Sequence, residues 1–164
     1  MTVTLRPALP EDEEFLCDLY CRSHAGKFAA APLDDTQRGA MLRMQFNLQQ
    51  QSYRTEFPTG NDRIILLDGE PIGRLLVAEM ETEVLYIDIA IFIERRGNGI
   101  GAKVISDLME ETRRIGKPAR LQVIKTNPAA RLHQRLGFRI TGENGAHYVM
   151  TWDPAKSGGG SDDA

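Results

Sequence analysis

Residues 84–102 read Val-Leu-Tyr-Ile-Asp-Ile-Ala-Ile-Phe-Ile-Glu-Arg-Arg-Gly-Asn-Gly-Ile-Gly-Ala. The β-branched opening predicts a strand from Glu83 to Ile93. Beyond the glycines, Ile100, Val104, Ile105, Leu108, Met109, Thr112 and Ile115 recur with helical period, until Gly116 and Pro118 end the helix. The segment Arg96-Gly97-Asn98-Gly99-Ile100-Gly101-Ala102 therefore lies between a strand and a helix start. Glycines there let backbone N–H groups converge where the helix carries partial positive charge, and the loop reads as a phosphate cradle. A tight turn that merely needs glycine is the structural alternative.

Working outward, Arg120–Ile124 reads as a short strand, Asn127-Pro128 caps and starts another helix that Gly137 ends, and 138–142 and 147–152 read as strands. Upstream, Val3–Arg6 is a strand, and the acids of 10–14 open a helix carrying Phe15, Leu16, Leu19 and Tyr20. Asp34-Asp35 opens a second helix through Met41, Leu42 and Leu48. Strands 63–67 and 71–80 meet at Asp68-Gly69, a hairpin signal. A strand-helix-strand-helix order after an antiparallel hairpin calls for an α/β fold: a mixed sheet with some parallel pairing and helices on both faces. At 164 residues one domain is expected, over 1–153, followed by a disordered tail over 154–164.

Composition narrows the class. No apolar run approaches the ~18 residues of a spanning helix, and the N-terminus lacks the pattern of a signal peptide, so a cytoplasmic protein is expected. Cys17 and Cys21 are read as buried reduced thiols on one helix, and no metal framework is present. Residues 95–139 hold 11 Lys/Arg against 3 Asp/Glu, while the remainder holds 9 against 20. A local basic excess in an acidic chain points to a compact polyanionic ligand met by one region more than to nucleic acid coating a whole face, and neither nucleic acid nor a membrane is expected as a partner.

Gly97, Gly99 and Ala102 also satisfy the dinucleotide pattern G-x-G-x-x-G/A, but the ribose-binding acid expected at the end of the next strand is replaced by Ile124-Lys125. No Gly-Lys-Ser/Thr follows the glycines, which excludes a P-loop. Arg96-x-x-Gly99-x-Gly101 instead resembles the pyrophosphate signature of the GNAT N-acetyltransferases. The preceding strand Ile89–Glu94 and the later run Asn127-Pro128-Ala129-Ala130-Arg131-Leu132-His133-Gln134-Arg135-Leu136-Gly137-Phe138 are similar to that family as well.

The resemblance covers about 83–152 and implies a mostly antiparallel sheet with a central parallel pair, with acetyl-CoA as donor and an amine as acceptor. It implies that backbone amides from Gly97 to Ala102 bind the CoA pyrophosphate, that backbone groups of Ile91 and Ile93 pair with pantetheine, and that Asn127 positions the cofactor's arm. Arg96, Arg131 and Arg135 become phosphate neighbours. A tyrosine often serves as acid on the later helix of the family; here that position is His133.

An amine attacks only as the free base, and the departing thiolate gains from protonation. His133 is read as the acid, as a neutral ring orienting water, or as a histidine packed on the core edge. Asp88 is the only charge between Val84 and Ile93; period-2 alternation sets it with Tyr86, Ala90 and Phe92, and it is read as base, amine binder or rim acid. Met44, Gln45, Tyr53 and Arg54 are the candidates for acceptor recognition, the acceptor being a small molecule or a protein amine. A non-catalytic acyl-CoA sensor is the second reading, a dinucleotide oxidoreductase the third. A homodimer is the assembly considered.

Overall fold

The computed structural model describes residues 1–157. They form seven strands in one sheet of order β1-β2-β3-β4-β5-β7-β6, where β1 is Val3–Pro7, β2 Asn61–Leu67, β3 Glu70–Glu79, β4 Val84–Ile91, β5 Ala119–Ile124, β6 Arg139–Asn144 and β7 His147–Trp152. The sheet is mixed, with β4 and β5 as its parallel pair. The helices are α1 (Glu13–Ser23), α2 (Asp35–Glu56), α3 (Ile100–Ile115), α4 (Ala129–Leu136) and the short α5 (Pro154–Ser157). The chain divides into two compact units, Met1–Leu76 with Asp88–Gly97, and Val77–Ile87 with the chain from Asn98 onward.

In the first unit β1 and β2 pair antiparallel, Val3 opposite Leu67 and Pro7 opposite Arg63. Positive φ at both Asp68 (50°) and Gly69 (83°) makes the turn into β3 the primed kind that matches strand twist. A bidentate pair of 2.7 and 2.9 Å from Arg6 to Asp12 ties β1 to the entry of α1. Asp34 and Gln37 exchange side-chain and backbone bonds of 2.8 and 2.9 Å across the start of α2, a capping box that fixes where the helix begins. Leu16, Cys17, Phe46 and Ile64 close the core between these helices and β2.

In the second unit the parallel register runs from Val84↔Ala119 to Tyr86↔Leu121 and stops there. β5 continues against β7 from Ala119↔Trp152 to Ile124↔His147. The apolar stripe of α3 buries Ile100, Val104, Ile105, Leu108 and Met109. At the end of that stripe the Tyr86 and Thr112 hydroxyls meet at 2.6 Å.

Two boundaries in particular differ from the sequence expectation. β4 ends at Ile91, because Ile93–Arg95 form a 3-10 turn closed by Arg96 N–H on the Ile93 carbonyl. Pro154–Ser157 form a helical turn in which Ala155 N–H bonds Asp153 Oδ1 at 3.0 Å, where a tail was expected. The rest of the expected tail, 158–164, lies outside the described residues. Among the described residues no helix is long and apolar enough to cross a membrane.

Candidate active site

The glycine loop is built as an anion cradle requires. Gly99 is the N-cap of α3 in the left-handed region (φ 78°) and no side chain caps that helix end, while Gly97 also has positive φ (84°). An L side chain at either position would be strained although the space around it is open. Lys103 N–H closes the first helical turn on the Gly99 carbonyl at 3.0 Å. The N–H groups of Ile100, Gly101 and Ala102 precede that bond and have no intrahelical partner, at the positive end of a 16-residue helix. Gly101 is already helical, so positive φ is not what it supplies. The loop therefore fits a phosphate.

The other residues expected at the cofactor are placed more variously. The Ile91 carbonyl accepts Arg96 Nε at 2.9 Å, so Arg96 braces the strand end. Ile93 lies in the 3-10 turn and is 61% exposed. Asn127 Oδ1 accepts Ala129 N–H at 2.9 Å, which uses that oxygen to start α4. Arg131 and Arg135 are exposed on α4.

Asp88 lies at the centre of a charged cluster. Its Oδ2 accepts the Tyr53 hydroxyl at 3.4 Å and sits 3.8 Å from Arg74 Nη1. Arg74, with a side chain 5% exposed, is the only buried lysine or arginine among the described residues. It donates from Nε and Nη2 to Asp62 at 2.9 and 2.8 Å and from Nη1 to Gln50 at 2.7 Å. Burial pushes the Asp88 carboxyl above the ordinary carboxylate value, and Arg74 and Tyr53 only partly offset it. The regular alternation expected for this strand is not kept: Val84 and Tyr86 are buried, 87–90 are half-buried, and Ile91 is buried again at odd parity.

Beside this cluster lies a cavity of about 520 Å³. Leu9, Leu16, Phe57 and Leu76 give it apolar walls, and Glu13, Gln50, Tyr53, Arg54, Asp62 and Arg74 also line it. Tyr53 and Arg74 thus belong both to the cavity and to the surroundings of Asp88. Of the other residues considered for acceptor recognition, Gln45 accepts the Tyr20 hydroxyl at 3.5 Å and Met44 is 55% exposed.

His133 has a contrasting environment. The ring is 6% exposed, edge-on to Phe138 at 5.9 Å, and its Nδ1 has no hydrogen-bond partner among the described residues. Burial alone pushes its pKa down to about 4. Burial thus disfavours the imidazolium, and of the three readings of this residue it favours those with a neutral ring. Cys17 is buried, and burial pushes its thiol up to about 11, with Cys21 Sγ 3.9 Å away.

Sequence reasoning missed Arg74, Asp62 and Gln50. Arg74 carried the same signal that marked Asp88, a lone charge in the apolar run 72–78. Asp62 and Gln50 are polar residues in polar stretches and have no such signal.

The model of the acetyltransferase (GNAT) family matches residues 14–138. No curated protein matches the chain by sequence at a significant level. Among solved structures, the PaiA N-acetyltransferase from Thermoplasma acidophilum in complex with coenzyme A is 16% identical at a TM-score of 0.71, covering 93% of this chain and 99% of that one. The ribosomal-protein-S18-alanine N-acetyltransferase from Escherichia coli is 15% identical at 0.66, covering 93% and 94%. A spermidine N-acetyltransferase chimera from Vibrio cholerae and human sequences is 19% identical at 0.67, covering 95% and 98%. At these identities the likeness is one of fold.

Proposed function

The chain belongs to the acetyltransferase (GNAT) family and is an acetyl-CoA-dependent N-acetyltransferase, and from that premise we propose that Asp88 is its general base and that the cavity lined by Tyr53 and Arg74 receives the body of the amine acceptor. Bound acetyl-CoA supplies the acetyl group as an activated thioester. The amine would arrive as an ammonium, and Asp88 would take its proton so that the nitrogen lone pair is free to attack the acetyl carbon; as the C–S bond breaks, the second proton lost by that nitrogen would pass through water to the leaving thiolate. A raised carboxyl pKa suits that task, since a base is most effective when its pKa lies near the working pH. The neutral ring of His133 acts by orienting a water and does not give up its own proton.

On the donor side, the N–H groups of Gly97 to Ala102 hold the pyrophosphate, and Asn127 and the backbone of Ile91 and Ile93 serve the pantetheine arm. Arg96 and Arg131 add charge near the phosphates. The free thiols of Cys17 and Cys21 suit a reducing compartment, and we place the enzyme in the cytoplasm with its donor.

The observation that carries the acceptor assignment is the cavity. Its volume of about 520 Å³ falls within the roughly 300–1,000 Å³ of small-molecule sites, and apolar walls with a few polar groups are their usual lining. A compact amine with an apolar body is the acceptor this favours over a polyamine or a protein terminus. The test is thiol release from acetyl-CoA across alkylamines, arylalkylamines, polyamines and peptides with free N-termini. The first two classes should be turned over with the highest kcat/KM. No thiol release with any of these amines, from a protein that acetyl-CoA still protects against heat, would favour the acyl-CoA sensor instead.

A further inference from the structure

Two carboxylates share one buried guanidinium, and they share it unequally. Asp62 takes a two-bond fork from Arg74 at 2.8 and 2.9 Å, and Gln50 holds a third N–H at 2.7 Å. Asp88 is left with Nη1 at 3.8 Å, beyond hydrogen-bond reach. No hydrogen bond joins Asp62 to Asp88.

We propose that Asp62 is a positioning residue that sets the base strength of Asp88 from a distance, by holding the guanidinium of Arg74 to itself. The inference rests on the reading of Asp88 as base. An arginine does not give up its proton, so its charge must be balanced inside the fold. Burial works against the charge of Arg74 and the Asp62 fork restores it. With the Arg74 N–H groups directed to Asp62 and Gln50, Asp88 meets the cation only through space at 3.8 Å, and the charge of Asp62 works against that attraction. Were the fork absent, the same cation would turn its full charge on Asp88 and make it a weaker base.

The remaining groups around Asp88 do not replace that control. From α2 the Tyr53 hydroxyl reaches Oδ2 over 3.4 Å, a long bond. From α1, His24 and Tyr20 act on it only through space, and the His24 ring is engaged with the Tyr20 carbonyl at 2.8 Å. Arg74 and Tyr53 both address Oδ2, and no described residue hydrogen-bonds Oδ1. Oδ1 is thus the oxygen that meets the incoming ammonium.

The test titrates Asp88 directly, by carboxyl ¹³C resonances of the aspartate-labelled full chain, the Asp88 signal being assigned by its loss in Asp88→Asn. In Asp62→Asn, which keeps shape and one acceptor, the Asp88 midpoint should move to lower pH, and the acid limb of kcat/KM should follow. In Arg74→Met it should move to higher pH. Opposite shifts in the two variants are what a merely structural role does not produce. An Asp88 midpoint in folded Asp62→Asn that is unmoved, or moved upward, overturns the proposal, and this arm decides even where Arg74→Met does not fold. Failure of the base assignment shows separately, as wild-type turnover in Asp88→Asn.

Discussion

Asp88 and His133 are both drawn out of water by the fold, and their surroundings respond in opposite ways. Around Asp88 the chain supplies Arg74, Tyr53 and, one bond further, Asp62 and Gln50, so burial raises its basicity while a charged form is still tolerated. Around His133 it supplies Phe138 and leaves Nδ1 unpartnered, so burial removes the charged form. Desolvation shifts both groups toward neutrality. Only the first keeps polar partners that let it hold either charge state, and that marks a reactive group more reliably than burial does.

The largest expected effect follows from that contrast. Asp88→Asn should lower turnover by about 100- to 10,000-fold, the range lost with a positioned base, when thiol release is measured at saturating acetyl-CoA. The same variant should melt no lower than wild type at pH 7. A carboxyl with raised folded pKa favours the fold while protonated, below its ordinary value of 3.8, and loses that contribution as pH rises through the folded value. Asparagine avoids that loss, so the variant's advantage should fade toward pH 3. A variant that is both slow and less stable at pH 7 would mean that the pair with Arg74 is net stabilising, and the contrast with His133 would weaken.

For His133 the linkage has the opposite sign. Its folded pKa near 4 lies below the ordinary 6.5, so stability is full above pH 6.5 and is lost as pH falls toward 4. The shift corresponds to on the order of 3 kcal/mol. His133→Phe should abolish that acid loss, read from denaturant midpoints at pH 7 and pH 4.5, and should change turnover at pH 7 by less than about tenfold. A 100-fold fall in a folded variant would instead put the neutral imidazole among the reacting atoms.

Much of this arrangement was legible from the chain, and the limits have physical causes. The helical stripe of α3 and the Asp68-Gly69 turn depend on local rules, and both stand where the sequence put them. The glycine loop was legible because left-handed backbone at Gly97 and Gly99 demands glycine. Ile93 was misplaced because an apolar β-branched residue reads as strand whether or not a 3-10 turn follows. The phase of Asp88 was hidden because an irregular strand keeps no fixed parity. The Arg74 cluster joins β2, β3, β4 and α2, and no spacing along one segment reports a contact made by four. Burial of His133 was open in principle, since Ala130 and Phe138 stand at compatible spacing, but its missing partner is a property of the packed fold.

A third kind of buried polar group sharpens the contrast. Tyr86 and Thr112 satisfy each other at 2.6 Å, Thr112 also bonds the Leu108 carbonyl at 2.9 Å, and burial pushes the Tyr86 phenol up to about 12. Neither hydroxyl exchanges a proton at neutral pH. Thr112→Val keeps the shape and orphans the phenol, so it should cost about 1–3 kcal/mol in chemical denaturation and leave turnover of the folded enzyme unchanged. Adding Tyr86→Phe should recover part of the loss, because the unpartnered hydroxyl leaves with it.

The smallest expected effect concerns Tyr53, which faces both the cavity and Asp88. Tyr53→Phe removes one long hydrogen bond, 3.4 Å to Asp88 Oδ2, and keeps the ring that lies 5.4 Å from the Arg74 guanidinium. A neutral hydrogen bond is worth about 0.5–1.5 kcal/mol, and a long one belongs at the low end. Turnover should therefore fall by only about two- to fivefold, with KM for an apolar amine nearly unchanged because the cavity wall remains. That bond lowers the Asp88 pKa, so its loss should move the acid limb of kcat/KM to higher pH, in the direction opposite to Asp62→Asn. A large rise in KM with an unmoved pH profile would instead make the phenol a ligand of the acceptor, and would leave Arg74 as the only group that tunes Asp88 by contact.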